Sequence, residues 1–260
     1  MTVIINQAKK RMQEGKIAAS FNVSRITSVE IAGIAKSCGF HWLFIDLEHT
    51  AMDLETASQI SIAALPVGVT PIVRVPEGDT KLAQRLLDNG AQGIVFPHVE
   101  SAEEAERLVK ACRFPPAGHR SLTAPGAQLH YGSLKTREAM DLLDRETLIV
   151  VMVETPEAAS RAGEIARVPG VDVVLIGSND MCAAMDKPGQ LDDPEFVDLL
   201  GRVVDDVTAA GKWPGLGGVY QEELLSRYIA RGIRIVLGGS DLSLMFVGAR
   251  QRGEFFANLE

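Results

Sequence analysis

The sequence predicts a closed (β/α)8 barrel, and three observations point there. Eight short runs rich in Val, Ile and Leu recur along the 260 residues, each with a helical pattern behind it. The runs are apolar throughout rather than alternating, as strands covered on both faces of a parallel sheet must be. The rival, an open doubly wound sheet, calls for a Gly-rich dinucleotide turn after an early strand. Here Gly215-Leu216-Gly217-Gly218 comes late and runs on into Val219-Tyr220. A barrel of this kind fits within one chain of such length, so residues 1–260 read as one domain.

The elements follow in order. Residues 3–15 have helical spacing (Ile5, Ala8, Met12) and are expected to cap the bottom of the barrel. Strand one is Ile17 to Phe21, then a helix from Val29 to Cys38; strand two is Trp42 to Asp46, then a helix from Leu54 to Leu65. Strand three is Pro71 to Arg74 with its helix at Lys81 to Asn89, and strand four Gly93 to Phe96 with Ala102 to Cys112 behind it. A Pro/Gly/Ser/His-rich segment, Phe114 to Ser133, interrupts the rhythm and is too long for an ordinary connection, so it is expected to be an active-site loop. Strand five (Leu148 to Val153), a helix (Glu157 to Val168) and strand six (Val171 to Ile176) form a βαβ unit. Pro214 to Val219 and Ile233 to Leu237 are strands seven and eight.

Composition narrows the function classes. A net charge of -8 argues against a nucleic-acid footprint, which would need a basic face. No stretch approaches a membrane span in length, and no apolar region follows Lys9-Lys10-Arg11 as a signal peptide requires. Cys38, Cys112 and Cys182 are odd in number and lack a CxxC, which favours reduced thiols and a cytoplasmic protein over disulfides or structural zinc.

In such a barrel chemistry collects at the carboxyl ends of the strands. Strand two ends on Asp46-Leu47-Glu48-His49, strand three on Arg74, and strand four on Pro97-His98. Strand five ends on Glu154, strand six on Gly177-Ser178-Asn179-Asp180, and strand eight on Gly238-Gly239-Ser240-Asp241. The long loop adds His119, Arg120 and Ser121. Two carboxylates at adjacent strand ends, Glu154 and Asp180, suit a hard divalent ion that keeps open positions for substrate oxygens. Such an ion polarises the carbonyl of a 2-oxo acid, an arginine adds charge stabilisation, and His49 can move protons near neutral pH.

These residues carry a resemblance. Asp46-Leu47-Glu48-His49, Val73-Arg74, Leu87-Asp88-Asn89-Gly90-Ala91-Gln92-Gly93, Val99-Glu100-Ser101, Arg113 to Arg120, Val153-Glu154-Thr155 and Ile176 to Asp180, in that order, resemble the HpcH/HpaI family of class II pyruvate aldolases. The resemblance implies a carbon–carbon lyase cleaving a 4-hydroxy-2-oxo acid to pyruvate (or hydroxypyruvate) and an aldehyde through a metal-stabilised enolate. It implies that Glu154 and Asp180 bind Mg²⁺, Mn²⁺ or Co²⁺, that Arg74 holds the pyruvate, and that His49 transfers protons, oriented by Asp46 and Asp88. The backbone around Gly177, Ser178, Asn179 and Asp180 would receive the substrate carboxylate, and Arg120 an acidic or hydroxylated acceptor. A homohexamer with the last helix exchanged between neighbours is also implied. The chain departs from the family at Ser178-Asn179, Met152 and Ser121, which bears on the acceptor aldehyde and on pocket polarity. Two other readings stand beside this one: a related metal-dependent lyase or decarboxylase acting on a 2-oxo acid or acyl-CoA, and a non-catalytic binder of an acidic metabolite.

Overall fold

Eight parallel strands close on themselves in chain order in the computed structural model, which describes residues 3–259. The strands are β1 (Ala18–Val23), β2 (Trp42–Asp46), β3 (Thr70–Arg74), β4 (Gly93–Phe96), β5 (Leu148–Val153), β6 (Val173–Gly177), β7 (Trp213–Gly217) and β8 (Ile235–Ser240). Between them lie α1 (Gln7–Gln13), α2 (Ile31–Ser37), α3 (Leu54–Val67), α4 (Thr80–Asp88), α5 (Ala102–Cys112) and α6 (Thr136–Glu146). The second half adds α7 (Pro156–Ser160), α8 (Ala162–Arg167), α9 (Ser178–Ala184), α10 (Pro194–Ala209), α11 (Glu222–Arg231) and α12 (Asp241–Ala257). Closure is made by β1 on β8, with Ala18 opposite Ile235. The helix read over 157–168 is two pieces that meet at Arg161.

Each strand is buried on both faces, and its two-residue period sorts the side chains into two cores. Phe44, Ile72, Val150, Met152, Leu175 and Leu237 fill the barrel interior, closed below by Ala8 and Met12 of α1. Their neighbours Ile45, Val73, Val151, Val153, Val174 and Ile176 pack outward under the helices. The same alternation, carried two residues past Phe44, Ile72, Met152 and Leu175, puts Asp46, Arg74, Glu154 and Gly177 on the inner face at the carboxyl end. The apolar strands thereby aim the polar strand ends into one space.

Helix starts are fixed by local chemistry. Asp53, Asp79, Ser101 and Thr155 each accept a backbone N–H from the first turn of α3, α4, α5 and α7. Such a cap contributes about 1 kcal/mol.

One expectation is corrected. The segment 114–133 lies at the amino end of the barrel, opposite the strand ends that carry Glu154 and Arg74. It follows α5, which runs back down the barrel, so an α-to-β connection emerges at the amino face. Gln128 ties it there, donating to the carbonyls of Leu87 (2.7 Å) and Ala91 (3.2 Å) and accepting from the amide of Ile4 (2.9 Å). Leu122, Leu129, Leu134 and Leu143 line a cavity of about 190 Å³ on that side.

Candidate active site

At the carboxyl end, Asp46, His49, Arg74, Glu154, Gly177, Asn179 and Asp180 line one cavity of about 230 Å³. Its floor is Phe44, Met152 and Leu237, the top layer of the barrel interior. Its rim is completed by Ser24, Gly218, Tyr220 and Ser240.

Arg74 is the most constrained of these groups. Its Nε donates to Asp46 Oδ1 (2.9 Å) and its Nη2 to Asp46 Oδ2 (2.7 Å), a bidentate fork, while Nη1 stands 3.0 Å from Glu48 Oε2. The Phe44 ring lies under the guanidinium, 5.1 Å from its centre. Burial alone would pull the Arg74 pKa down, but the hydrogen bonds and charge of Asp46, then the charges of Glu48 and Glu154, hold it above the ordinary value. Of the five guanidinium N–H protons two are committed to Asp46, and those on Nη1 make no hydrogen bond of good geometry to Glu48, so they remain for a substrate oxygen.

Asp46 does more than pair with Arg74. It accepts the amides of Glu48 (3.0 Å) and His49 (3.4 Å), folding the Asp-Leu-Glu-His turn back on itself. His49 is thereby left at the rim with a largely exposed ring, its Nε2 3.6 Å from Glu48 Oε2.

Glu154 is buried, with only 3% of its surface exposed. One oxygen, Oε2, accepts the backbone N–H of His98 (2.8 Å) and lies 3.0 Å from His98 Nδ1. The ring's other nitrogen is 3.3 Å from Glu48 Oε1, so His98 bridges two carboxylates. His98 achieves this with a left-handed backbone (φ 54°), which turns both its amide and its ring toward Glu154. Oε1 of Glu154 lies over Gly177, where even a Cβ would sit 2.7 Å from it. Burial raises the Glu154 pKa first; the His98 contacts oppose this, and the charges of Asp180 and Glu48 add to it.

Glu48, Glu154 and Asp180 therefore form an acid cluster short of positive charge. Glu48 Oε2 is buried with no hydrogen bond of good geometry. Among the described residues no three His, Cys, Asp or Glu side chains form a ready chelate. The donor set instead fits a hard cation held by one or two carboxylates and completed by water or substrate oxygens. Gly177 leaves the approach open, and as the N-cap of α9 it offers no capping side chain to the amides of that helix's first turn. Ser178 is fully buried and bonds to the Gly217 carbonyl, so it serves packing while Asn179 and Asp180 face the cavity.

Asp88 and Arg120, expected beside His49 and the acceptor, are not brought there within this chain. They pair with each other (2.8 Å) at the amino end, where Arg120 also lies over the Phe114 ring at 4.6 Å. Asp88 ends α4, a helix that runs away from the strand ends, and Arg120 belongs to the displaced loop. Reasoning from the sequence gave His98 little weight and did not select Tyr220, Asn22 or Ser24. His98 was visible as a strand-end residue; the others depend on how the β1 and β7 loops turn inward.

Fold and site together define a barrel enzyme with an acid-rich, cation-seeking centre at the carboxyl ends of its strands. Comparison with known proteins makes this specific. The sequence model of the HpcH/HpaI aldolase/citrate lyase family matches residues 24–247. A 4-hydroxy-4-methyl-2-oxoglutarate aldolase of Hapsidospora irregularis is 33% identical over 264 residues, covering 100% of this chain and 98% of the relative. A hydroxypyruvate/pyruvate aldolase of Pseudomonas aeruginosa is 33% identical, covering 96% and 92%. In fold, the crystal structure of an HpcH/HpaI aldolase from Desulfitobacterium hafniense DCB-2 matches with a TM-score of 0.89 over 95% of each chain, at 24% identity. The chain belongs to the HpcH/HpaI aldolase/citrate lyase family.

Proposed function

We propose that this site cleaves 4-hydroxy-2-oxo acids reversibly into pyruvate, or a close relative such as hydroxypyruvate, and an aldehyde. The chain is a carbon–carbon lyase of the class II aldolase type, in keeping with relatives named as 2-oxo acid aldolases. The observation that carries the reading is the meeting of Glu154, Asp180 and Arg74 in one cavity.

Glu154 and Asp180 would hold a divalent cation, Mg²⁺, Mn²⁺ or Co²⁺. When bound, such an ion supplies Lewis-acid polarisation of the substrate's keto group. Arg74, locked by Asp46, presents its uncommitted N–H groups to the charge that develops on the keto oxygen as the C3–C4 bond breaks. Because Asp46 fixes the fork in advance, little reorganisation accompanies the reaction. The first-turn amides of α9, from Ser178 to Asp180, receive the substrate carboxylate. His49 takes the proton of the 4-hydroxyl as the aldehyde leaves, and a proton returns to C3 to give the methyl group of pyruvate. Its exposed position suits exchange with solvent. Glu48 and His98 hold Glu154 and the Asp46 turn in register.

Assembly is part of the same proposal. α12 buries only its first residue, while Leu244, Met245, Phe246, Val247, Phe255 and Phe256 are exposed along it. Such a face calls for partner copies, in keeping with a hexamer that exchanges this helix. Among the described residues no helix is long and apolar enough to cross a membrane, and all three cysteines are free, which supports a cytoplasmic setting.

The test is a panel of 4-hydroxy-2-oxo acids with coupled detection of pyruvate. Release is expected with Mg²⁺, Mn²⁺ or Co²⁺, and its loss with chelator. Activity indifferent to chelator, or trapped by borohydride through a lysine, would overturn the reading.

A further inference from the structure

We propose that Asp241 is a positioning residue of the active site: its carboxylate gathers the loop after β1 and sets Ser24 at the cavity rim. This rests on the aldolase reading of the same cavity and adds the group that shapes its β1 side.

Five donors meet on this one side chain. Oδ2 of Asp241 accepts the successive amides of Ser24 (3.0 Å), Arg25 (2.7 Å) and Ile26 (2.7 Å). Oδ1 accepts the Ser24 hydroxyl (2.6 Å) and the amide of Leu242 (2.7 Å). Three consecutive N–H groups turned to one oxygen form an anion-binding nest, and here the chain fills it with its own carboxylate. The side chain is buried, so these donors rather than water answer its charge. Asp241 reaches the loop because β8 bends close to β1. A Cβ on Gly238 would lie 2.5 Å from the Ser20 carbonyl oxygen, and Gly239 takes φ +123°, a backbone that suits glycine. Residues 24–27 lie outside helix and strand, and among the described residues no hydrogen bond holds them except those to Asp241.

The loop matters because of where it stands. In a closed ring of strands in chain order β1 lies opposite β5, so the end of β1 faces Glu154 across the mouth. Ser24 and Ser240 both line the cavity there, and Asp241 follows directly on Ser240. Ser24 spends its amide and its hydroxyl proton on Asp241, so a hydroxyl oxygen held in one place is what it turns to the cavity. A substrate anchored at Glu154, Asp180 and Arg74 extends toward that wall. A rim fixed in advance adds no ordering cost when substrate binds, whereas a loose one does, and the difference is read in KM. Asp241 is also the buried root of α12, whose later turns are exposed, so the rim and the departing helix pivot on one carboxylate.

The experiment measures KM and kcat separately for 4-hydroxy-2-oxopentanoate and 4-hydroxy-4-methyl-2-oxoglutarate in wild type, Asp241→Ala and Ser24→Ala. Amide hydrogen exchange of residues 24–26 is followed in the same proteins. Asp241→Ala is expected to raise KM about tenfold, as the loss of one hydrogen bond would, with kcat within about threefold. Its 24–26 amides are expected to exchange about tenfold faster or more. Formate, a free carboxylate, is expected to refill the nest and reverse both changes, while its neutral isostere formamide, at the same ionic strength, reverses neither. Ser24→Ala is expected to raise KM in a way that formate leaves unchanged, and it carries the test alone if Asp241→Ala fails to fold. A Ser24→Ala KM within about twofold of wild type, or formamide acting as well as formate on Asp241→Ala, overturns this inference alone. Exchange of pyruvate methyl protons by wild type in deuterated water, run in parallel, separates the two levels. Its absence overturns the aldolase reading and this inference with it.

Discussion

Replacing Asp46 by Asn leaves the shape of the Arg74 site almost intact and removes one charge, so it isolates what the fork contributes. The native pair makes two charge-assisted hydrogen bonds, at 2.9 and 2.7 Å, around an arginine only 9% exposed. Each such bond is worth about 1.5–3 kcal/mol, and Asn can keep one acceptor while turning an NH₂ toward a guanidinium that has no acceptor to offer. Glu48 at 3.0 Å still compensates part of the Arg74 charge, which holds the cost below that of a fully orphaned buried ion. The expected loss is about 3 kcal/mol, or roughly 6–12 °C in Tm for a chain of this size. Calorimetry on Asp46→Asn, Arg74→Met and the double variant measures it directly. The double variant should be more stable than the sum of the singles by about 2 kcal/mol, because it leaves no charge unpaired. Effects that simply add within about 0.5 kcal/mol would refute a coupled pair.

Three further outcomes follow from individual contacts. Gly177→Ala places a Cβ 2.7 Å from Glu154 Oε1 and should weaken Mn²⁺ binding by calorimetry about tenfold; unchanged affinity would remove Glu154 from the cation site. Asp241 accepts the amides of Ser24 (3.0 Å), Arg25 (2.7 Å) and Ile26 (2.7 Å), which offset its burial and hold its pKa low, so Asp241→Asn should cost about 2 kcal/mol at pH 7. A depressed carboxyl stabilises the fold above its unfolded value and loses that stabilisation as pH falls through its folded value, so the difference in Tm between wild type and variant should shrink below about pH 4. Asp88→Asn strips the partner from an arginine that is 4% exposed and should lower Tm by several degrees; a fall in kcat without a fall in Tm would contradict a stabilising role at the amino end.

Much of the fold is legible because a barrel strand is a short, fully apolar run with a helix behind it, repeated eight times. The strand boundaries moved by one to three residues at β1, β3, β6, β7 and β8, and flanking Val171 and Ile233 are as apolar as the strands themselves. Glu154, Asp180, Arg74, Asp46 and His49 were legible for the same reason: strand ends at one face are neighbours whatever the loops do. The 114–133 segment was misplaced because its length suggested function, whereas its position after a helix put it at the amino face. Asp88 lies at the end of a helix rather than of a strand, so within one chain it stands apart from His49. Tyr220 was hidden because its place depends on one left-handed glycine, which is a backbone fact that composition does not carry. His98 was hidden because a carboxylate bridge needs two partners from other strands.

The central claim is that Glu154 and Asp180 hold the cation that, together with Arg74, stabilises the enolate left when the methyl group of pyruvate loses a proton. Proton NMR of pyruvate in deuterated water, with the Mg²⁺-loaded protein, tests it most directly. Methyl exchange should proceed with wild type, stop with chelator, and fall by about a hundredfold or more in Glu154→Gln. Exchange that persists at the wild-type rate in Glu154→Gln or in chelator would contradict it.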